Sequence, residues 1–148
     1  MKIRPAQQGD LAAMTGLLKQ LFDIEEDFTY DPSKQAKGLE LLLAAPNGRI
    51  MVAELNSVVI GMAAGQILIS TAEGAPALVI EDVIVDAMFR QQGIGSTLLD
   101  ALAGWGRSCG AGRMQLLADK KNHQALQFYR SQNWRETKLI CLRKYHTA

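Results

Sequence analysis

The chain has 148 residues, a length that fits one domain built around one hydrophobic core. Hydrophobic residues make up 48% of it and charged residues 21%, a composition typical of a globular protein rather than a disordered or fibrous one. The formal net charge is +1, from 16 basic and 15 acidic residues, so the overall charge attracts neither nucleic acid nor anionic lipid. Any anion-binding site must therefore be local.

The cysteine and histidine content argues against a disulfide framework and a metal site. The chain has 2 cysteines, Cys109 and Cys141, which lack metal-ligand spacing to each other or to His123 and His146. We therefore expect no metal, and two buried or inert thiols in a reducing cytoplasm. No apolar run resembles a signal peptide or is long enough to span a membrane, so we expect a single cytoplasmic domain over residues 1–148.

Two helices are predicted before most of the sheet. The first follows Asp10, which is a suitable N-cap, because apolar residues then recur at helical spacing. These residues are Leu11, Met14, Leu17, Leu18 and Leu21. A second helix is predicted over residues 32–45, since proline and serine begin it and the sequence Pro-Asn-Gly follows it.

The segments after these helices predict a sheet. Residues 50–55 and 58–70 indicate an antiparallel hairpin, because only Asn56 and Ser57 separate two runs rich in β-branched residues. Residues 77–85 are apolar on both faces of a strand apart from an acidic pair. Such a pattern is typical of a central strand.

The second half of the chain predicts one parallel crossover. Apolar residues at helical spacing indicate a third helix, and residues 114–118 then return as a strand. The helical residues are Leu98, Leu99, Leu102, Trp105 and Cys109. Residues 124–131 predict a short helix and residues 134–142 a closing strand, so the fold class is mixed α and β (α/β, α+β mixed).

Residues 90–95, Arg-Gln-Gln-Gly-Ile-Gly, connect the central strand to the third helix and indicate an anion site. Unpaired backbone N–H groups and the helix dipole attract an anion at such a helix start. Gly93 and Gly95 let a phosphate approach closely, Arg90 adds a positive charge, and Ser96 and Thr97 add hydroxyl donors. The alternative is an ordinary glycine turn. The pattern lacks the Lys of a P-loop and the early position of a Rossmann fingerprint, so ATP and dinucleotides are disfavoured.

Residues 80–85, Ile-Glu-Asp-Val-Ile-Val, followed by residues 90–95, resemble the signature of the GNAT superfamily of N-acetyltransferases. Asn122, Ala125, Phe128 and Tyr129 lie on the short helix, as in the second motif of that family. The resemblance covers nearly the whole chain and implies a GNAT-like fold. That fold has a central mixed, mostly antiparallel sheet of six to seven strands, four flanking helices, and one splayed parallel strand pair that binds CoA.

The sequence departs from the family pattern in three places. Residues 87–88, Ala-Met, lack the proline that is frequent in the family. Gln91 and Asn133 both stand where glycine is common in the family. Asparagine tolerates a left-handed backbone better than other residues with a side chain. We therefore expect the geometry to survive at both turns.

The resemblance implies transfer of an acetyl group from acetyl-CoA to a primary amine of a small molecule or protein, by direct attack in a ternary complex. Acetyl-CoA is the expected co-substrate, and its pantetheine arm would pair with the central strand like an added strand. A backbone N–H near Val83 would stabilise the oxyanion. The predicted coenzyme-binding residues are Val83, Ile84, Val85, Arg90, Gln91, Gln92, Gly93, Ile94, Gly95, Ser96, Thr97, Asn122 and Phe128. Asn122 is equally suited to cap the short helix.

Two side chains are the predicted catalytic residues. An alkylamine is mostly protonated at pH 7, since its pKa is about 10, so a base must take a proton. Glu81 is the candidate, and the alternative is a carboxylate paired with an Arg or with backbone N–H groups. Strand alternation places Asp82 on the opposite face, and it is interpreted as structural. Tyr129 would protonate the departing thiolate, and its alternative role is a core aromatic beside Phe128.

The acceptor amine is expected over the early helices and the loop between them. Acidic and aromatic residues cluster there, and they would suit a cationic amine: Phe22, Asp23, Glu25, Glu26, Asp27, Phe28, Tyr30 and Asp31. Phe28, Tyr30 and Glu81 are the predicted substrate-binding residues. The alternative is a solvated acidic loop.

Polyamines, amino-sugar antibiotics, amino acids and protein amines all remain open as acceptors. So do a non-catalytic acyl-CoA-binding or sensor module and a structural domain that reuses the fold. Exposed edge strands are compatible with a homodimer.

Overall fold

The computed structural model describes residues 1–146, which contain four α-helices and one five-stranded sheet. The helices are α1 (Leu11–Ile24), α2 (Pro32–Ala44), α3 (Ile94–Ser108) and α4 (His123–Ser131). The strands are β1 (Lys2–Pro5), β2 (Gly48–Leu55), β3 (Val58–Ser70), β4 (Ala75–Val85) and β5 (Arg113–Leu116). Two 3₁₀ turns, Gln8–Asp10 and Ala87–Phe89, precede α1 and the glycine-rich loop.

The chain falls into two compact units, Met1–Leu116 and a C-terminal unit that begins at Leu117. The first unit holds the whole sheet and the first three helices. The second holds α4 and the segment after it. The single domain expected over residues 1–148 stays a prediction.

The sheet has the strand order β1-β2-β3-β4-β5. The first four strands are antiparallel neighbours, and β4 pairs with β5 in parallel, so the predicted hairpin and the single parallel crossover are confirmed. Helices cover both faces of the sheet. Side chains of α1 and α2 pack with Met62 and Ala64 on one face, and α3 lies against Gly61 and Gly65 on the other.

The expectation of six to seven strands is wrong for the described residues, which form five. The predicted closing strand, residues 134–142, has no strand assignment in the structure. Leu139, Ile140 and Leu142 are exposed by 86%, 72% and 86%. Propensity favours a strand here, but a strand also needs a paired neighbour, and propensity alone does not supply one.

Helix α1 begins where the sequence predicts, although Asp10 stabilises that end differently. Its carboxylate makes no cap hydrogen bond to α1 and instead accepts the Gln7 N–H at 2.7 Å. The guanidinium of Arg4 binds the same carboxylate at 2.7 and 2.9 Å and lowers the pKa of Asp10. Asp10 therefore ties β1 to the turn before the helix.

Two other structural findings bear on the sequence predictions. Cys109 and Cys141 are both exposed, so burial, one of the two expected alternatives, is wrong, and their inertness stays a prediction. Cys109 follows the last turn of α3, and Cys141 lies in the segment that forms no strand. Within residues 1–146, none of the helices has the length and apolar character needed to cross a membrane.

Candidate functional site

Strand β4 changes its surroundings halfway along its length. Residues 77–80, here called the paired segment, have β3 on one side and β5 on the other. The last parallel pair joins Ile80 to Leu116, where β5 ends. Residues 81–85, here called the open segment, therefore have no strand beside them on that side within Met1–Leu116. An open strand edge can pair with an extended ligand.

A β-bulge begins the open segment. Glu81 pairs with Ala64 and Ile84 pairs with Met62, so the register shifts between them. Ala64 and Met62 point to the same face of β3, which places Glu81 and Ile84 on one face of β4. Regular alternation would put them on opposite faces, since they are three residues apart. Asp82 has a φ of +56°, a left-handed value that costs energy in a residue with a side chain.

The bulge changes the interpretation of the acidic pair. Asp82 is half-buried, whereas Glu81 is exposed. Burial, together with the negative charges of Glu81 and Glu25, raises the pKa of Asp82 to about 6. Glu25 is the residue after α1, so the carboxylate of Asp82 lies near those of Glu81 and Glu25.

Asp82 is a candidate site residue that the sequence analysis interprets as structural. Regular alternation along a strand would place Asp82 on the face opposite Glu81, but the bulge interrupts that alternation. The only signal in the sequence was a second carboxylate in an otherwise apolar strand. Perturbed carboxylates of this kind concentrate at functional sites.

The loop at residues 90–97 has the backbone of an anion site. Gly93 is the N-cap of α3 with a φ of +80°, and a Cβ built on it would meet no atom within 4 Å. The space beside this glycine is therefore free for a ligand. No acidic side chain lies in the first turn of α3, so the N–H groups and the helix dipole favour an anion there.

Side chains of the same loop are held in place by hydrogen bonds. The Nε of Arg90 donates to the carbonyl of Val85 at 2.9 Å, which folds the side chain back along the end of β4. The hydroxyl of Thr97 donates to the carbonyl of Gly93 at 2.9 Å. In this arrangement the hydroxyl proton is not directed at a ligand. Gln91 has a φ of +61°, the backbone expected where the family has glycine.

The segment between α1 and α2 combines aromatic and acidic side chains. The rings of Phe22 and Phe28 lie 5.5 Å apart, and Phe28 is 42% exposed while Tyr30 is half-buried. Asp31 caps α2 by accepting the N–H groups of Ser33 and Lys34, which is a structural role.

The C-terminal unit contains the remaining predicted residues. Asn122 accepts the N–H of Ala125 at 3.1 Å, so its role as the cap of α4 is confirmed. The ring of Tyr129 lies 5.3 Å from that of Phe128 and 5.9 Å from that of Trp134. Asn133 has a φ of +68°, as expected for a residue that replaces glycine.

The structure thus brings together Glu81, Asp82 and Glu25 in the first unit, and the glycine-rich loop follows the same strand. Asn122, Phe128 and Tyr129 are brought together separately, in the second unit. Among residues 1–146, no three His, Cys, Asp or Glu side chains form a group that could hold a metal ion.

Comparison with known proteins identifies the family. The model of the Acetyltransferase (GNAT) family matches residues 18–134, which include both motifs and most of the chain. The chain therefore belongs to the GNAT acetyltransferase family. No curated protein sequence matches the chain.

Solved structures share the fold over nearly the whole chain. A transcriptional regulator from Bacillus halodurans C-125 is 25% identical, with a TM-score of 0.85 over 98% of this chain and 99% of that chain. An aminoglycoside acetyltransferase from an uncultured soil metagenomic sample, in complex with trehalose, is 26% identical, with a TM-score of 0.77 over 99% and 96%. The aminoglycoside N-acetyltransferase AAC(6')-Iy in complex with CoA is 22% identical, with a TM-score of 0.84 over 99% and 95%, and supports the fold alone.

Proposed function

We propose that this protein transfers the acetyl group of acetyl-CoA to a primary amine of a small molecule or protein, by direct attack in a ternary complex. The observation that carries the proposal is that two features of the backbone, an open strand edge and the start of a helix, occur one after the other along the chain. The open segment of β4 is followed, after the turn at Ala87–Phe89, by a helix start with free space beside Gly93. An extended thioester arm suits the first feature, and a pyrophosphate suits the second.

In this proposal the coenzyme lies along residues 81–97. Backbone N–H groups at the start of α3 and the guanidinium of Arg90 bind the pyrophosphate, while Val83, Ile84 and Val85 offer backbone hydrogen bonds to the pantetheine arm. The N–H near Val83 faces the thioester carbonyl and stabilises the oxyanion as it forms. Thr97 contributes through its backbone, since its hydroxyl already donates to Gly93.

The chemical step requires one base and one acid. The amine nitrogen attacks the thioester carbonyl, a carboxylate removes the proton from the nitrogen, and the C–S bond breaks as the oxyanion collapses to the amide. We assign proton removal to Asp82, because a pKa of about 6 leaves it ionised at pH 7 yet more basic than an ordinary aspartate. Glu81, predicted from the sequence, is the competing base and otherwise attracts the cationic amine.

Tyr129 is proposed to protonate the departing CoA thiolate. Its phenol is a suitable donor, and its ring is held between those of Phe128 and Trp134. We expect Tyr129→Phe to lower kcat by about 10²-fold or more while the dissociation constant for CoA changes by less than about twofold. Steady-state kinetics and calorimetric titration with CoA measure the two effects, and an unchanged kcat would contradict the role.

The acceptor is proposed to be a cationic amine. Glu81, Asp82 and Glu25 form a negative region, and the exposed ring of Phe28 belongs to the segment that begins at Glu25; these features suit an ammonium group on an apolar body. One structural relative is an aminoglycoside acetyltransferase. Amino sugars are therefore the first class to test, followed by polyamines, amino acids and protein amines. A cytoplasmic location and a homodimer stay predictions.

A screen of amines with acetyl-CoA tests the function against its alternative, a non-catalytic acyl-CoA sensor. Release of the free thiol is followed with a thiol-reactive dye, and each product is checked by mass spectrometry for one added acetyl group. Turnover with any amine supports the enzyme. Binding of CoA without turnover across the panel would favour the sensor, and failure to bind CoA at all would overturn both.

A further inference from the structure

The side chain of Gln20 joins helix α1 to the turn that precedes the glycine-rich loop. Its Nε2 donates to Oδ2 of Asp86 at 3.0 Å, and its Oε1 accepts the N–H of Ala87 at 3.1 Å. Both ends of the amide are therefore used, and the side chain is half-buried. A glutamine held at both ends has one orientation, so it fixes the distance between the helix and the turn.

Asp86 connects this contact to the rest of the sheet. Its N–H donates to the carbonyl of Ile60 at 2.8 Å, and its carbonyl accepts the N–H of Phe89 at 2.9 Å. Its other carboxylate oxygen accepts the N–H of Met88 at 2.9 Å. The hydrogen bonds from Gln20 and Met88 also lower the pKa of Asp86, so the carboxylate is held in its charged, accepting form.

The turn held by Gln20 leads directly into the loop. The turn covers Ala87–Phe89, and Arg90 follows it with its Nε on the carbonyl of Val85. A shift of the turn would move the guanidinium and the start of α3 together. Displacements of about 1 Å at a positioning contact are enough to change binding and rate.

We propose that Gln20 is a positioning residue for acetyl-CoA: it holds the Asp86 turn, and through it the anion loop, without touching substrate. The inference rests on the proposed function, because it takes residues 90–97 as the coenzyme site. It predicts an effect on the coenzyme rather than on the amine, although Gln20 lies on a helix of the acceptor side.

The test is Gln20→Leu, which keeps the size of the side chain and removes both hydrogen bonds. We expect the dissociation constant for CoA and the KM for acetyl-CoA to rise about 10-fold, since the turn that positions the coenzyme loop is no longer held by hydrogen bonds to α1. The KM for the amine and kcat should change by less than about twofold. Lys19→Leu, at the exposed neighbouring position of α1, is the matched control and should leave all four constants unchanged.

An exchange of partners separates positioning from simple destabilisation. Gln20→Glu alone places a carboxylate against Asp86, and Asp86→Asn alone places an amide N–H₂ against that of Gln20, so each should weaken CoA binding. Together they restore all three hydrogen bonds, because the amide at position 86 donates to the carboxylate at position 20 and an oxygen at each position still accepts from Met88 or Ala87, so the double variant should regain most of the affinity. Equal loss in the double variant would contradict the contact as drawn.

The outcomes distinguish the inference from the function on which it rests. If the unmodified protein binds CoA and Gln20→Leu binds it equally well, the positioning role is overturned and the function stands. Lower thermal stability without a change in the coenzyme KM also overturns the role. If the unmodified protein does not bind CoA, the proposed function itself fails.

Discussion

The two segments of β4 belong to one strand but differ in their pairing, register and burial. In the paired segment, residues 77–80, backbone bonds run to both neighbours, and Ala77, Leu78 and Ile80 are exposed by 1% or less. In the open segment, residues 81–85, one edge has no strand beside it within Met1–Leu116, the register shifts, and the half-buried Asp82 has a left-handed φ. The paired segment stabilises the sheet, and the open segment has the features that chemistry requires.

This difference shows where a stable fold can tolerate a costly side chain. The charge of Asp82 is disfavoured by burial and by two neighbouring carboxylates. Such a cost is tolerated when the rest of the structure is stable enough to hold it, and it is retained where it serves a function. Variants of the two segments should therefore have opposite effects on stability and activity.

The largest expected effect is the loss of activity in Asp82→Asn. Removing a general base lowers the rate by about 10² to 10⁴-fold, so we expect kcat/KM to fall within that range. Glu81→Gln should lower it by about 10-fold or less, chiefly through weaker attraction of the cationic amine. Steady-state kinetics on both variants with the best amine of the screen measure the effects. The reverse ranking would return the base to Glu81.

The next effect is a loss of stability in the paired segment. Leu78 is fully buried and fills the space left by Gly65 and Gly106, where added Cβ atoms would lie 2.8 and 3.0 Å from its methyl carbons. We expect Leu78→Ala to lower the free energy of unfolding by about 2 to 5 kcal/mol, as measured by urea denaturation. Activity per folded molecule should stay the same.

A surface leucine provides the control for this variant. Leu68 is 41% exposed on β3, so Leu68→Ala should cost less than Leu78→Ala. A large loss of activity in folded Leu78→Ala would contradict the assignment of stability to the paired segment and of activity to the open segment.

The two segments also differ in how well the sequence predicts them. Apolar periodicity predicts α1 and α3 because the same residues that repeat, such as Leu17 and Leu98, are the ones buried. The glycine-rich loop is predicted because glycine favours a turn with a left-handed backbone, and Gly93 has that backbone in the structure. Local pattern and tertiary structure agree in these cases.

The bulge and the closing strand depend on partners that a local pattern does not contain. Nothing in the residues around Asp82 specifies that β3 pairs with a shifted register, so alternation does not assign Asp82 to a face. The segment over residues 134–142 has strand propensity, yet a strand also requires a neighbour with free backbone groups. The contact between Gln20 and Asp86 spans 66 residues and is likewise invisible to periodicity.

The third prediction is that Asp82→Asn raises stability while it lowers activity. The pKa of Asp82 is raised from 3.8 to about 6, so folding favours the protonated form. Its contribution to stability is complete below pH 3.8 and is lost as the pH rises through 6. At pH 8 the variant should therefore be more stable than the unmodified protein by about 1 to 3 kcal/mol.

The pH dependence of this difference identifies its cause. Urea denaturation between pH 4 and pH 8 should show the advantage of Asp82→Asn shrinking as the solution becomes more acidic. The kcat/KM of the unmodified protein should rise as the pH increases through about 6, as the base ionises. A stability advantage that does not vary with pH would mean that packing, rather than charge, separates the two proteins.

The smallest expected effect concerns the loop that follows the open segment. Gln91 holds a φ of +61°, a conformation that costs about 1 kcal/mol for a residue with a Cβ and almost nothing for glycine. Gln91→Gly should therefore raise the free energy of unfolding by about 1 kcal/mol and leave the affinity for CoA within about twofold, because the backbone already has the shape that glycine prefers. The neighbouring Gln92, also exposed but not at a positive φ, is the matched control, and Gln92→Gly should lose stability through added freedom of the unfolded chain. Equal effects at both positions would show that contacts of the Gln91 side chain offset the strain of its backbone.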